Sequence, residues 1–435
     1  MWRNSLKIMS NFSAINVLSN RLKGMMRTQH SRDVLITTGN NLSITLINAL
    51  GGILTARMLA PTGRGELATA IVWAALLGTI ASLGLPQALI YFAAQSPKFC
   101  KDLFFAAMTL LVFQSIVICL VGYLLAQLLF DASQGTASLA VKLYLGSIPM
   151  SLATTYLATI AQGTQKFRLS NSIRLCSAIA YILAIFLAFG LKSSSSISLI
   201  SLLLATQFIT TTGSFVAYAV SLPINLSLNT ILVKDLLKYG LKSYIGSLSW
   251  MTNARIDQFI MSLFLTSGDI GLYAVGVSYA TLLFPLSGAF ANTLFPQVAR
   301  LSANKARQAI LHTLKINLFI SVTLALLMIL SAPVLIPLVF GAKFSLSVLP
   351  AIILVPGTVI LGCNYILSDG LRGLGVPAHV SLAETIGLIS TLISLALLLP
   401  RIGMLGAAIS SVICYSLVFA ILLGMCLKLP SKTST

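Results

Sequence analysis

Apolar runs of membrane-crossing length alternate along the chain with short breaks made of polar, glycine or proline residues. The runs fall near 34–57, 67–94, 103–130, 138–161, 173–191, 197–221, 241–265, 271–297, 310–340, 347–368, 378–400 and 403–427. A hydrocarbon core about 30 Å thick needs roughly 20 apolar residues per helical crossing. Each run meets that length, so the pattern predicts an all-α polytopic membrane protein with twelve transmembrane helices. The breaks leave no room for a large extramembrane domain. Pro333 and Pro337 close to the end of 310–340 predict a kink or an unwound last turn, and Pro86, Pro149, Pro285, Pro296 and Pro356 mark further kinks.

The longest internal break, 222–240, divides the spans into two sets of six. The expected organisation is a basic segment 1–32, a six-helix bundle 33–221, a linker 222–240, a second six-helix bundle 241–427 and a tail 428–435. An internal echo supports the division. After the first span, Pro61-Thr62-Gly63-Arg64-Gly65-Glu66-Leu67-Ala68 opens a helix that runs on to Pro86-Gln87. After the seventh, Thr266-Ser267-Gly268-Asp269-Ile270-Gly271-Leu272-Tyr273 opens one that runs on to Pro296-Gln297. Each half crosses an even number of times, so the halves share one orientation and are related by an axis along the membrane normal. A substrate path is expected between them.

Composition agrees with the pattern and adds orientation. The 435 residues are 57% hydrophobic and only 9% charged, with a mean hydropathy of +0.95, whereas soluble domains carry about 25% charged residues. A soluble enzyme is excluded. The formal charge of +19 does not point to nucleic acid, because the cations sit singly or in small groups between apolar runs. Of the 28 Lys and Arg residues, 21 fall on the side bearing the amino terminus. Six, Arg57, Arg64, Lys142, Lys192, Lys343 and Arg401, fall on the other, and Arg255 lies inside a span. The excess of cations places both termini in the cytoplasm of a cell with its inner membrane as the host bilayer.

Residues 1–32 lack the apolar core and cleavage site of a signal peptide. Ile8, Phe12, Ile15, Leu22 and Met26 recur among cations at helical spacing, which fits either a helix lying on an anionic membrane surface or a disordered basic tail. Cys100, Cys119, Cys176, Cys363, Cys414 and Cys426 lie in or beside apolar segments without a C-x-x-C pair, and read as small packing residues. His30, His312 and His379 fall at expected cytoplasmic edges.

Polar groups at bilayer depth are costly and should face a cavity or a partner helix. Asn41, Thr45 and Asn48 share one face of the first span and are followed by Gly51 and Gly52. Cavity lining and close interhelical packing both account for this stripe. The seventh span carries Asn253, Arg255, Asp257 and Gln258, placing two opposite charges roughly 20 Å into the span at 1.5 Å per residue. On a continuous helix, two residues span about 200°, so Asn253 and Asp257 facing the cavity would turn Arg255 toward a neighbouring helix. A role in the transport path and an ion pair locking two helices are the alternatives. Glu384, about 10 Å into the eleventh span, is a candidate for proton or cation coupling, or a neutral hydrogen-bonding group. Arg57, Glu66 and Arg174 read as interfacial snorkelling residues. No Gly-Lys-Ser/Thr phosphate loop and no metal-ligand spacing is present, so no cofactor is expected beyond a proton or sodium gradient.

Local motifs resemble a known family. Ala56-Arg57-Met58-Leu59-Ala60-Pro61-Thr62-Gly63-Arg64-Gly65-Glu66 looks like the first external turn of Wzx-type polysaccharide flippases, within the multidrug/oligosaccharidyl-lipid/polysaccharide exporter superfamily. Gly84-Leu85-Pro86-Gln87-Ala88-Leu89-Ile90-Tyr91, Asn253-Ala254-Arg255-Ile256-Asp257, Gly271-Leu272-Tyr273-Ala274-Val275, Phe295-Pro296-Gln297 and Gly406-Ala407-Ala408-Ile409-Ser410-Ser411 are similar to that family's pattern in the same order. The resemblance implies the fold of multidrug and toxin extrusion (MATE) proteins, with two six-helix bundles around a central cavity and alternating access. It also implies an undecaprenyl-pyrophosphate-linked oligosaccharide as cargo, membrane lipids and other polysaccharide-assembly proteins as partners, and no nucleic acid. Under it Arg255 supplies positive potential for the pyrophosphate, Asn41, Thr45, Asn48 and Asn253 meet the sugars, and Asp257 or Glu384 couples to protons or sodium. The alternatives are a cation-coupled exporter of small amphipathic compounds on the same fold, and a glycan polymerase or ligase.

Overall fold

The structure, a computed structural model, describes residues 29–95, 100–130, 135–192, 194–221, 229–253, 255–298 and 301–428. Regular structure among the described residues is entirely helical. In chain order the helices are α1 (Gln29–Ser82), α2 (Leu85–Gln95), α3 (Cys100–Leu129), α4 (Gly135–Tyr144), α5 (Ser147–Gly163), α6 (Phe167–Gly190) and α7 (Ser196–Ser221). The second half holds α8 (Thr230–Asn253), α9 (Ile256–Phe264), α10 (Ser267–Ala280), α11 (Phe284–Val298), α12 (Ala303–Phe340), α13 (Val348–Gly373) and α14 (Pro377–Lys428). Short 3-10 turns sit at Thr281–Leu283 and Ala342–Ser347.

All twelve expected spans are helical, but spans and helices do not coincide one to one. The apolar stretch Gly39–Ser82 has 44 residues and Pro377–Lys428 has 52, about 65 and 80 Å of straight helix, twice what a bilayer core accommodates. Both contain a reversal. Ala60 (φ 54°, ψ −179°) ends the first crossing of α1, and Pro61 starts the second, where a missing N–H costs nothing. In α14 the reversal falls at Ile402 and Gly403, whose φ of 55° suits a residue without Cβ. Four of the expected spans are interrupted along their length. The span 67–94 breaks at Leu83 and Gly84, both in the left-handed region. The span 138–161 is α4 plus α5, 241–265 is α8 plus α9, and 271–297 is α10 plus α11 around the 3-10 turn.

We call the side from which α1 sets out the near face and the side of the Ala60 reversal the far face. Helix ends on the near face carry recognisable stops. After α13, Gly375 (φ 80°) bonds to Arg372 O and Val376 N to Leu371 O at 3.1 Å, the paired pattern of a Schellman motif. Gln165 does the same after α5, with Lys166 N bonded to Ala161 O at 2.8 Å.

Three buried apolar clusters hold the bundle. One fills the amino-terminal half around Trp73, Leu85, Tyr156 and Tyr218. The carboxy-terminal half has a far cluster around Tyr273, Ile336, Phe344 and Leu354, and a near cluster around Ile310, Leu367 and Leu422. The clusters cross the division between halves. Ala56 and Ala68 pack in the far cluster of the other half, and Leu232 and Leu236, in the first turns of α8, pack in the amino-terminal cluster. The stretch expected as a linker is therefore helix from Thr230 on, while its first part, 222–228, lies outside the described residues. The expected surface helix or tail within 1–32 also lies outside them up to residue 28, and α1 already begins at Gln29. The tail beyond Lys428 lies outside them as well.

Candidate functional site: an interhalf path closed at the far face

The far face is shut by two glycines. A Cβ placed on Gly65 would lie 1.6 Å from the Ser267 carbonyl oxygen, and one on Gly271 would lie 1.9 Å from the Pro61 carbonyl oxygen. The second crossing of α1 and the start of α10 thus meet backbone to backbone, as small residues permit in membrane bundles. The start of α10 is fixed by a capping box: Thr266 Oγ1 accepts from Asp269 N at 3.3 Å and donates to Asp269 Oδ2 at 2.6 Å. Beside this seam, Arg57 Nε donates to Val339 O at 2.6 Å and its Nη2 to Leu338 O. These carbonyls belong to the last turn of α12, where no intrahelical partner remains, so an arginine of one half caps a helix of the other. Glu66 was expected to snorkel at the surface and does not. It is 9% exposed and accepts hydrogen bonds from Thr136 Oγ1 at 2.6 Å and from Ser196 Oγ, tying α1, α4 and α7 together.

Below the seam, α1 presents two different glycines. Gly51 packs on Tyr181 and Ile185 of α6, inside its own half. Gly52 faces the other way: the atoms nearest to a Cβ placed there are Ser278 Oγ of α10, at 3.8 Å, and Arg64 Nη2, at 4.0 Å. Asn41, Thr45, Asn48 and Gly52 follow one another at steps of four, three and four, so they share a face. That face looks toward the opposite half. Asn41 and Asn48 are exposed and Thr45 is half-buried, its hydroxyl returned to Asn41 O at 2.9 Å.

The seventh span is where the continuous-helix expectation fails. Arg255 (φ −140°, ψ −8°) stands between α8 and α9, outside helical geometry. The rotation expected across Asn253, Arg255 and Asp257 therefore does not apply, and the three separate differently. Arg255 is exposed and makes no ion pair with Asp257; the ion pair found among the described residues is Arg372–Asp369 at 3.2 Å. Asp257 is buried in the carboxy-terminal half, accepting from Tyr273 OH at 2.6 Å, Ser411 Oγ at 3.1 Å and Gln258 N at 2.7 Å. Asn253 was expected among the sugar-facing residues but is buried beside Asp257. Its Oδ1 accepts from Thr391 Oγ1 at 2.9 Å, its Nδ2 donates to Cys414 Sγ at 3.0 Å, and it is hydrogen-bonded to Glu384. Glu384 is 4% exposed. Asn253 with Glu384, Thr391 and Cys414, and Asp257 with Tyr273 and Ser411, thus form two polar sets that share α14 inside the second half, tying α8, α9 and α10 to it, apart from the stripe on α1.

The residue that sequence reasoning passed over is Arg64. Counted there as a charge of the external turn, it is 8% exposed, and its Nε has no hydrogen-bond partner. Its position four residues after the Ala60 reversal, on the helix rather than in the turn, was the available signal. The halves are also joined by Trp73 Nε1, which donates to Ser262 Oγ of α9 at 2.9 Å. An open hollow of about 450 Å³, lined by Met58, Phe189, Gly190, Lys192 and Ser194, lies on the far face and includes none of these residues. Among the described residues no group of three His, Cys, Asp or Glu gathers as a metal site.

Residues 54–349 match the profile of a family described as "Polysaccharide biosynthesis protein". Two curated relatives are similar over part of the chain. One, from Haloferax volcanii, is named "Probable low-salt glycan biosynthesis flippase Agl15" and is 28% identical over 188 residues, 41% of this chain and 38% of its own length. The other is the "Uncharacterized membrane protein MJ1068" of Methanocaldococcus jannaschii, 29% identical over 190 residues, 42% of this chain and 37% of its own length. The matched region therefore spans less than half of each relative. Among solved structures, an inward closed form of the lipid II flippase MurJ superposes with a TM-score of 0.76, 15% identity and coverage of 91% of this chain and 88% of that one. An inward-facing multidrug resistance MATE family transporter gives 0.73 at 14% identity, covering 90% and 96%. The fold is the MATE-like arrangement of two six-helix bundles.

Proposed function

The chain belongs to the family of polysaccharide biosynthesis proteins, and from that premise we propose that it is a flippase for lipid-linked oligosaccharide. It moves undecaprenyl-pyrophosphate-linked repeat units from the cytoplasmic to the periplasmic leaflet of a bacterial inner membrane by alternating access. The near face is the cytoplasmic one, as the distribution of Lys and Arg indicates.

The observation that carries this reading is the polar face of Asn41, Thr45, Asn48 and Gly52, which runs between the halves toward a far face shut at Gly65 and Gly271. The diphosphate and sugars are the parts of such a cargo that cannot cross hydrocarbon, while a polyprenyl tail can stay in lipid. A cleft between two bundles serves both. Asn41, Thr45 and Asn48 exchange hydrogen bonds with sugar hydroxyls, and Arg255, exposed at the helix break, offers a forked set of donors to phosphate oxygens. Asp257, and Glu384 hydrogen-bonded to Asn253, are the ion-coupling groups: binding a proton or sodium there changes how α8, α9 and α14 pack, and so favours one of the two facing states. Other polysaccharide-assembly proteins supply the cargo and remove it.

The test is the leaflet distribution of lipid-linked oligosaccharide in cells that lack the gene, or that carry Arg255→Ala. Build-up on the cytoplasmic face, relieved by the intact protein, is the expected result. An unchanged distribution together with a defect in small-compound efflux replaces this reading with that of a cation-coupled exporter on the same fold.

A further inference from the structure

The centre of the carboxy-terminal half holds two oxygens that no neighbour among the described residues completes. Asn364 and Ser368 of α13 are each 3% exposed, and Asn364 Oδ1 and Ser368 Oγ have no hydrogen-bond partner. Asn364, Ser368 and Arg372 follow one another at steps of four and so share a face. At the inner end of this stripe, Asn364 Nδ2 donates to the Tyr415 carbonyl oxygen of α14 at 2.9 Å. The residue before Tyr415 is Cys414, whose Sγ accepts from Asn253 Nδ2 at 3.0 Å, and Asn253 is hydrogen-bonded to Glu384. At the outer end, Arg372 stands in the last turn of α13 on the near face, 35% exposed and paired with Asp369 at 3.2 Å. It also lies within electrostatic reach of Glu384. The charged or titratable groups that face Glu384 are therefore Arg372 from α13 and Cys414 and Tyr415 from the second crossing of α14, with Asp257 of α9 within reach of both Cys414 and Tyr415. From α8 comes the neutral Asn253.

We propose that this stripe is the route by which a proton reaches Glu384 from the near face, carried by water held between Ser368 and Asn364. This deepens the flippase reading and rests on its assignment of Glu384 to ion coupling. A buried oxygen without a partner is unfavourable, and in a polar site water completes it. Four residues of helix rise about 6 Å, close to the span of one water molecule between two hydrogen bonds of about 2.8 Å each. The Ser368 hydroxyl both donates and accepts, so it passes a proton by exchanging one hydrogen bond for another. Asn364 Oδ1 accepts from the same water and holds it in line. The proton ends on a carboxylate oxygen of Glu384. Two free oxygens are too few to replace the hydration shell of a metal cation, which leaves the proton as the ion this route serves. The Arg372–Asp369 pair stands at the mouth, where the carboxylate balances a charge that otherwise repels an arriving proton.

The test uses full-length protein in two measurements. In inside-out membrane vesicles, with the native cysteines replaced by alanine, Ser368→Cys is labelled from the near face with methanethiosulfonate ethylammonium. It is expected to react about tenfold faster or more than Leu367→Cys, whose parent side chain is fully buried in the near apolar cluster on the same helix. Equal rates overturn the proposal. In proteoliposomes, with the native cysteines kept, Ser368→Thr and Ser368→Val give side chains of nearly the same size that differ in the hydroxyl. Flipping by Ser368→Thr is expected to keep most of its response to an imposed proton gradient, and Ser368→Val to lose most of it, a separation that a purely structural role of the side chain does not produce. Equal responses of the two variants overturn the route, as does a response that follows a sodium gradient and ignores the proton gradient. The readings fail separately. Loss of the response in Glu384→Gln but not in Ser368→Val removes the route and leaves the coupling. Rapid labelling of Ser368→Cys, without a leaflet defect in the deletion strain, removes the flippase and leaves the water route.

Discussion

Gly65 and Gly271 face each other across the halves so that the α-carbon hydrogen of each points at the carbonyl four residues before the other, at Ser267 and Pro61. The contact is reciprocal, as at a two-fold axis. It also leaves no volume for a methyl group on either side.

Adding that volume should stop the far face from closing. In Gly65→Leu or Gly271→Leu, overpacking of about 1–3 kcal/mol against backbone shifts the balance between facing states by roughly 5- to 150-fold. The pair Thr62→Cys and Gly268→Cys, whose parent positions come within 4.0 Å, is expected to form a disulfide readily in the parent background and poorly in either leucine variant.

Arg57 holds the same closure from the side. Arg57→Ala removes the donors to Val339 O and Leu338 O, each charge-assisted bond contributing about 1.5–3 kcal/mol at most and less at an exposed site. The expected outcome is a folded protein with a modest gain in far-face accessibility to a membrane-impermeant thiol reagent at Thr62→Cys. Unchanged accessibility would show that the glycine seam alone maintains closure.

The polar set around Asp257 gives a prediction about coupling. Asp257→Asn keeps the size but replaces one acceptor oxygen with an NH2 group, either where Tyr273 and Ser411 donate or where Gln258 N does, so at least one buried donor loses its acceptor, at about 1–3 kcal/mol. Flipping by this variant, and by Glu384→Gln, should no longer respond to an imposed proton or sodium gradient in proteoliposomes. Retention of the full response in both variants would remove these carboxylates from the coupling.

Trp73→Phe tests the tie between the halves in the amino-terminal core. It keeps an aromatic ring against Phe259, which Trp73 meets tilted at 4.8 Å, but leaves Ser262 Oγ without its indole donor. A loss of about 0.5–1.5 kcal/mol, read as a small fall in thermal unfolding temperature with the fold retained, is expected.

How legible these features were depends on the distance over which they are written. The twelve apolar runs are local, and all became helix. The reversals at Ala60 and at Ile402–Gly403 fall where polar or glycine residues punctuate the runs, and were read correctly as ends of spans. The breaks at Leu83 and at Thr281 to Leu283 were not legible, because hydropathy runs through them and Pro86 and Pro285 mark them only approximately; at Arg255 the polar cluster of Asn253, Asp257 and Gln258 signals chemistry on a helix and not a break in one. The break at Arg255 then upset the reasoning about which side chains share a face, and with it the placing of Asn253. Arg64 and Glu66 were counted with the loop because both stand within a few residues of a turn, where charge is normally solvated. Their burial depends on α4, α7 and α10, more than sixty residues away in the chain for each. The echo between Pro61–Ala68 and Thr266–Tyr273 was visible as similarity, but that the two copies touch each other is a property of the assembled bundle.

That self-contact makes the two glycines a single constraint. The same spacing in the chain separates Gly65 from Gly271 and Pro61 from Ser267, so each segment offers the other a bare α-carbon and a carbonyl oxygen. A side chain added to either glycine wedges the same gap, and no change at the other can relieve it, because neither has anything left to remove. The interiors behind the seam carry no such matching: Asp257 and Glu384 are buried in one half, Arg64 and Glu66 in the other. The junction is thus a place where the two halves must be sized to each other atom for atom, whatever their interiors hold.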